Sequence, residues 1–265
     1  MESKRRPPQQ AAATQVPLYY DARVMQETTI RKNLEHVQER IAAAAQRAGR
    51  HVDEITLIAV SKTHSAGAIR EAYEAGLRHF GENRVQDWEG KRGPLGNLEA
   101  TWHLIGHLQS NKAARAAKLF HCVDSVDDAN LADRLNRARA EALGESAGQA
   151  KLRVLIEVHL SGEETKSGVS EDELPGLAEK ILGLEQLQFA GLMCIPPYLA
   201  NPDDVRPYFA RLRNMRDGLE ARFSRPLQVL SMGMSHDFEA AILEGSTEVR
   251  VGTALFGTRE TPTGI

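Results

Sequence analysis

Residues 55–81 read ITLIAVSKTHSAGAIREAYEAGLRHFG, and the pattern in this stretch decides the fold. ITLIAV (55–60) is a short apolar run bounded by charge, which predicts a buried strand. SAGAIREAYEAG (65–76) has helical spacing and ends in a glycine, and LRHFG (77–81) predicts the next strand. A strand, a helix and a second strand in succession predict two parallel strands joined by a crossover.

The alternation continues along the chain. Further strands are predicted at 101–106, 120–125, 153–160, 187–193, 227–232 and 248–257. Helices are predicted between them at 83–91, 109–119, 127–143, 170–182, 202–223 and 235–245. Ahead of the first strand, Ile30, Leu34, Val37, Ile41, Ala44 and Ala45 recur at helical spacing over 26–48, and Gly49 supplies a stop. The fold class read from this order is α/β, a single (β/α)8 TIM barrel with an extra N-terminal helix. An open doubly wound sheet gives the same alternation. The lack of a GxGxxG after the first strand and of any GxxxxGK[ST] counts against its nucleotide-binding form. Residues 1–17 are expected to be a disordered arm and 18–265 the barrel domain.

Composition narrows the function classes. A chain of 265 residues, 42% hydrophobic and 26% charged, has the balance of an ordinary globular protein. A net charge of -3 argues against nucleic acid or an anionic membrane as the main partner. No apolar run approaches the length of a membrane span. The start, MESKRRPPQQAAATQ, lacks the apolar core of a secretory signal, and Glu2 and the prolines fit a transit peptide poorly. Cys122 and Cys194 have no CxxC spacing, so no disulfide framework or structural zinc is expected. Such sparse thiols suit a reducing compartment, and the expected location is cytoplasmic.

In a barrel of this kind the chemistry gathers at the C-terminal strand ends. Those ends read Ser61-Lys62-Thr63, Gly81-Glu82-Asn83, Gly106-His107, Asp124-Ser125, Ser161-Gly162, Met193-Cys194, Ser231-Met232-Gly233 and Gly252-Thr253. Lys62 directly follows the apolar LIAV, where desolvation favours the neutral amine that can form an imine with an aldehyde. Taken alone, it reads better as a lysine snorkelling from a strand end. The loops after the last two strands, in LSMGMS (230–235) and VRVGTALFG (249–257), change the balance. That pair of loops is the usual phosphate site of the fold, and free N–H groups at a helix start favour an anion. Gly233 and Gly252 could serve turn geometry only. Combined with a strand-1 lysine, the two loops point to a phosphorylated aldehyde.

Other constellations are weaker. His103 and His107 lie on a strand and its following loop without a shared face, so no metal site is expected. GHLQSNK lacks the Walker spacing. Asp124, Asp127 and Asp128 read as helix capping rather than a carboxylate dyad. The Arg-rich segment 206–225 reads more as a solvated face, with a weak anion contact left open.

AVSKT (59–63), FGENRVQD (80–87), WHLIGHLQSNK (102–112), VDS (123–125), SGEETKSG (161–168), GLMCIPP (191–197) and LSMGMSHDFEAAILEGSTEVRVGTALFGTR (230–259), in this order, resemble the pyridoxal phosphate homeostasis proteins. The resemblance runs from the first helix to residue 259. That family is similar in fold to the N-terminal barrel of alanine racemase. The resemblance implies pyridoxal 5′-phosphate (PLP) as cofactor, joined to Lys62 as a Schiff base, with Asn83 beside it. It implies that Ser231, Met232, Gly252 and Thr253 hold the phosphate and that Arg250 faces the pyridine nitrogen. Three positions depart from the family pattern: His159 replaces Asn, Arg84 replaces an aromatic, and Cys194 replaces Thr. His159 and Cys194 bear on the pocket wall.

Two functions follow from this resemblance. One is a carrier without turnover, serving intracellular vitamin B6 and amino-acid homeostasis, with apo-forms of PLP enzymes as partners. The other is a PLP-dependent amino-acid racemase. An Arg at the pyridine nitrogen only donates and weakens the ring as an electron sink, though alanine racemase also uses Arg. The expectation for the carrier rests on the few residues after the last strand. A racemase of this fold needs a further β-domain and a catalytic tyrosine from the partner subunit. Of Tyr19, Tyr20, Tyr73, Tyr198 and Tyr208, only Tyr198 is expected near a strand end.

Overall fold

The computed structural model describes residues 22–144, 150–160 and 167–257, so the expected arm at 1–17, the strand end at Ser161-Gly162 and most of SGEETKSG lie outside the described residues. Eight parallel strands follow one another around a closed barrel: β1 (Thr56–Val60), β2 (His79–Glu82), β3 (Thr101–Leu104), β4 (Cys122–Val126), β5 (Leu152–Glu157), β6 (Leu187–Met193), β7 (Val229–Met234) and β8 (Glu248–Val251). Closure is made by β1 against β8, with Thr56 to Ala59 paired to Glu248 to Val251. A closed ladder has no edge, which rules out the open doubly wound sheet.

Helices cover the outside: α2 (Ala66–Glu74), α3 (Val85–Leu95), α4 (Ala113–Leu119), α5 (Ala129–Gly144), α6 (Leu174–Leu182), α7 (Arg206–Phe223) and α8 (Phe238–Leu243). The extra N-terminal helix, α1 (Ala22–Arg47), packs against α2, α8 and the short α9 (Thr253–Phe256). Its Ile30, Leu34, Val37 and Ile41 are buried, as their spacing predicts. Arg40 pairs with Glu239 of α8 at 2.7 Å, and Asn33 Nδ2 donates to the Leu255 carbonyl at 2.9 Å. Outward strand residues such as Ala59, Phe80, Trp102, Ile156, Leu192 and Val249 join the helices in one apolar layer. Phe80 and Trp88 both stack on Trp102 there.

Several predicted boundaries shift. The segment 248–257 is strand only to Val251, after which Gly252 turns the chain and Thr253–Phe256 form α9. Its apolar ALF belongs to the helix layer, where Leu255 is fully buried. β7 runs two residues past 232, through an irregularity in its pairing with β8. α3 continues past Lys91 to Leu95, and Pro94 is accommodated in its last turn.

The inside of the barrel is charged. Arg153 Nη2 meets Glu248 Oε1 at 2.6 Å, and His103 Nδ1 meets Asp124 Oδ2 at 3.0 Å. His103 Nε2 lies 3.1 Å from His79 Nδ1. Burial alone would lower the His103 imidazole, but the Asp124 carboxylate overrides it and pushes it up to about 10. Burial would likewise raise Asp124, and the His103 charge instead holds it below the usual carboxylate range. His79, half-buried beside that charge, is pushed down to about 4 by burial and then by His103, so it accepts the His103 proton as a neutral ring. Asp124 therefore does not cap a helix, contrary to the sequence reading. Asp128 does, with its Oδ1 accepting from Leu131 N at 2.8 Å.

The first prediction comes from the β6 backbone, where Gly191 has φ +156° and an added Cβ would stand 1.9 Å from the Val229 carbonyl oxygen. Gly191→Ala should cost about 3 kcal/mol or more. Urea unfolding reads this directly, and an unchanged midpoint would show that β6 relaxes away from β7.

The second concerns the buried pair. A raised His103 contributes stability that is complete below its unfolded value of about 6.5 and is lost as pH rises through about 10. The lowered Asp124 contributes above its unfolded value and loses its effect under acid. Asp124→Asn should thus cost about 3–5 kcal/mol near pH 6 and progressively less toward pH 10. A penalty that stays constant between those pH values in urea melts would refute the charged pair.

Candidate functional site

The C-terminal strand ends surround one cavity of about 490 Å³. Lys62 and Asn83 line it from the β1–β2 side, Ser235, Gly252 and Thr253 from the β7–β8 side, and Arg250 from within β8. Glu157 and His159 form the opposite wall, with His107 beside them. Of the residues the sequence singled out, Lys62, Asn83, Arg250, Gly252 and Thr253 therefore come together.

Lys62 sits in a turn that the rest of the molecule holds tightly. Ile58, Ala59 and Val60 are buried, and the chain then bends so sharply that Thr63 takes φ +67°. A β-branched residue pays for that conformation, and it persists only where neighbours over-determine it. Ser61 N donates to the Gly81 carbonyl at 2.9 Å, and Ser61 Oγ donates to Glu82 Oε1 at 2.7 Å. Lys91 Nζ clamps the same Glu82 oxygen and the Ser61 carbonyl, both at 2.9 Å. His64 stacks on Phe256 at 4.5 Å, tying the turn to α9.

The β7–β8 side is built by a second rigid turn. Gly233 has φ +93°, and an added Cβ would come 2.6 Å from that of Ala241. Asp237 Oδ1 accepts from Met234 N at 2.6 Å. Ser235 Oγ accepts from Gly252 N at 3.3 Å and Ala254 N at 3.4 Å, joining the β7 loop to the start of α9. Because β7 ends at Met234, Ser231 and Met232 do not line the cavity. Ser231 is buried beneath it, and the Met232 side chain belongs to the apolar layer between sheet and helices. Ser235 was missed in the sequence because the strand end was placed too early.

Arg250 is 3% exposed and oriented from below. Its Nη1 donates to the Ser231 carbonyl and hydroxyl at 2.7 and 2.8 Å, and its Nη2 donates to the Cys194 carbonyl at 2.8 Å. Ser231 and Cys194 thus act on the cavity through Arg250. Of the departures from the family pattern, His159 lies on the wall and Cys194 lies fully buried under it. Burial pushes the Cys194 thiol up to about 12.

Glu157, at the end of β5, is 5% exposed. Burial, and then repulsion from Asp127, raise its carboxyl to about 7. Asp127 is also raised by burial, and its Oδ2 lies 3.2 Å from His107 Nδ1. His103 and His107 occupy different places, the barrel interior and the mouth. His103, Cys122 and Asp124 do bring one ligand-type atom each within 4.8 Å of one another, but the hydrogen bond between His103 and Asp124 already satisfies two of them.

Known proteins share this architecture. Residues 33–260 match the model of the family described as alanine racemase, N-terminal domain. The pyridoxal phosphate homeostasis protein of Aquifex aeolicus is 47% identical over 86% of this chain and 98% of its own. That of Escherichia coli K12 is 44% identical over 87% and 97%. The structure of PipY from Synechococcus elongatus PCC7942, with PLP bound, is 41% identical, has a TM-score of 0.72 and covers 83% of this chain and all of its own. An alanine racemase of Clostridium difficile shares the fold at 16% identity and a TM-score of 0.62, and the chain spans 58% of its length. The chain belongs to the alanine racemase N-terminal domain family, among relatives named pyridoxal phosphate homeostasis proteins.

Proposed function

We propose that this protein binds PLP at the barrel mouth, linked to Lys62 as a Schiff base, and that it serves vitamin B6 and amino-acid homeostasis without turnover of its own. The observation that carries this reading is the donor set around one cavity. An amine, a fixed guanidinium and a hydroxyl-lined loop pair face the same space. These match the aldehyde, ring nitrogen and phosphate of the cofactor. The PLP-bound relative PipY supports the same reading.

Ser235, Gly252 and Thr253 take the phosphate in this proposal, by hydroxyl groups and by main-chain N–H groups where α9 starts. Gly252 leaves room for it, since a Cβ there would project to within 3.3 Å of Val60. Ser231 and Met232 are not proposed as phosphate holders, given their burial below the cavity. Asn83 borders the cofactor from β2. When bound, the cofactor supplies a conjugated ring able to accept electron density from a substrate carbon. Arg250 restrains that chemistry. It stays charged, donates toward the ring nitrogen and offers no proton the nitrogen could keep.

Racemisation requires acid/base groups on both faces of a carbon. Among the described residues no tyrosine lines the cavity; Tyr198 is 79% exposed and packs on the cavity-wall His236 ring at 4.9 Å. This favours the carrier. No described helix is long and apolar enough to cross a membrane. A cytoplasmic role with apo-forms of PLP enzymes as recipients completes the proposal.

Borohydride treatment of PLP-loaded protein, followed by peptide mapping, should place the reduced cofactor on Lys62. An adduct only on another lysine overturns the assignment. Pyridoxal without its phosphate should bind far more weakly, because the loop donors then lose their partner. In D2O with L- and D-alanine, Cα exchange should stay at the rate of free PLP. Enantiomer interconversion at about 1–1000 per second would establish a racemase instead.

A further inference from the structure

We propose that the wall of the mouth facing away from the phosphate loops, formed by Glu157 with Asp127 behind it, is a subsite for the ammonium group of a primary amine. The proposal deepens the PLP reading and rests on it for the placement of the cofactor. Glu157 lines the cavity and is 5% exposed, yet its Oε2 has no hydrogen-bond partner among the described residues. Asp127 Oδ1 is buried and unpartnered in the same way. A buried carboxylate oxygen without a donor is costly, and two neighbouring ones repel each other as well.

Among the described residues nothing relieves this. Arg250 attracts Glu157 electrostatically, but its hydrogen bonds run to Ser231 and Cys194 and none reaches Glu157 Oε2. His107 is held by the other Asp127 oxygen. The missing partner is therefore positive and rich in N–H donors. An ammonium group supplies one charge and three donors. A magnesium ion binds through one or two carboxylates with waters completing its shell, so a direct Mg2+ titration separates it from an ammonium. The location suits this occupant too. A cofactor reaching from Ser235 and Thr253 to Lys62 and Arg250 covers the β7, β8 and β1 sides of the cavity and leaves the β5 side to a second molecule.

Calorimetry with n-propylammonium chloride tests this on cofactor-free and PLP-loaded protein, with n-propanol and tetramethylammonium as controls. The primary ammonium should bind the cofactor-free protein, and roughly tenfold more weakly after Glu157→Gln. The controls, lacking the charge or the N–H donors, should not bind. In the wild type, affinity should fall as pH drops through about 7. Glu157 loses its charge there, amid Arg250, Asp127, His107 and Cys194, with Lys62, His159 and His236 on the surrounding wall. That pH series needs no variant, so it stands if Glu157→Gln fails to fold. Equal binding by wild type and variant, an affinity independent of pH, or binding of Mg2+ in place of the amine each overturn the subsite. A borohydride-fixed PLP on Lys62 without ammonium binding removes the subsite alone. Ammonium binding to a protein that takes no PLP removes the proposed function and keeps the subsite.

Discussion

A closed parallel barrel has an inside walled off from bulk water, so each charge placed there needs a partner also placed there. In this protein Arg153, Glu248, Asp124 and His103 occupy that space, where many barrels place branched apolar side chains. The lower half of the interior is thereby fixed as a set of ion pairs. The upper half inherits their order through β8, which carries Glu248 and, two residues on and on the same face, Arg250. Arg250 cannot swing into the cavity at will because Ser231 and Cys194 hold it by three hydrogen bonds. A cofactor ring meeting that guanidinium meets a donor of fixed direction, prepared before any ligand arrives.

The fold was legible in the sequence because its two signals have different periods. Runs such as ITLIAV and LQFAGLM are buried on both faces and read as continuous apolar stretches, whereas α1 shows its buried stripe at Ile30, Leu34, Val37 and Ile41. Boundaries were legible only where a stop residue was local. Gly49 and Gly76 end their elements with positive φ, close to where the sequence placed the stops. At β7 and β8 the stop is tertiary. VRVGTALFG alternates well enough to pass for one long strand, and only the rim of the barrel decides that Val251 is the last paired residue. The same rim extends β7 to Met234, so Ser235, not Ser231, lines the cavity.

The candidate site was legible where one residue announces itself, as Lys62 does after LIAV. It was not legible where a role depends on a partner distant in sequence. Nothing around Lys91 says that it clamps Glu82 and the Ser61 carbonyl, since the contact joins a helix face to the ends of two strands. Glu157 sits in RVLIEVHL as an ordinary charged interruption of an apolar strand. Its significance comes from Asp127 and Arg250, which approach from β4 and β8. Asp124 was misread for the same reason. A DSVDD run looks like a helix start, and alternation along β4 instead turns Asp124 inward while Asp128 takes the cap.

The distribution of rigidity around the mouth bears on the proposed carrier role. The lysine turn is strained at Thr63 and braced by Ser61, Glu82 and Lys91, and the β7 loop is pinned by Asp237 and Ser235. Both are the sides that the proposed cofactor contacts, so its binding requires little ordering of the chain. The β5 side differs in kind. There Glu157 lines the cavity itself, its Oε2 has no partner among the described residues, and burial raises its carboxyl to about 7. In the proposed function, the lysine and β7–β8 sides would retain PLP while the β5 side would receive a second, cationic ligand. For the proposed carrier, neither property calls for a second acid/base group across a reacting carbon.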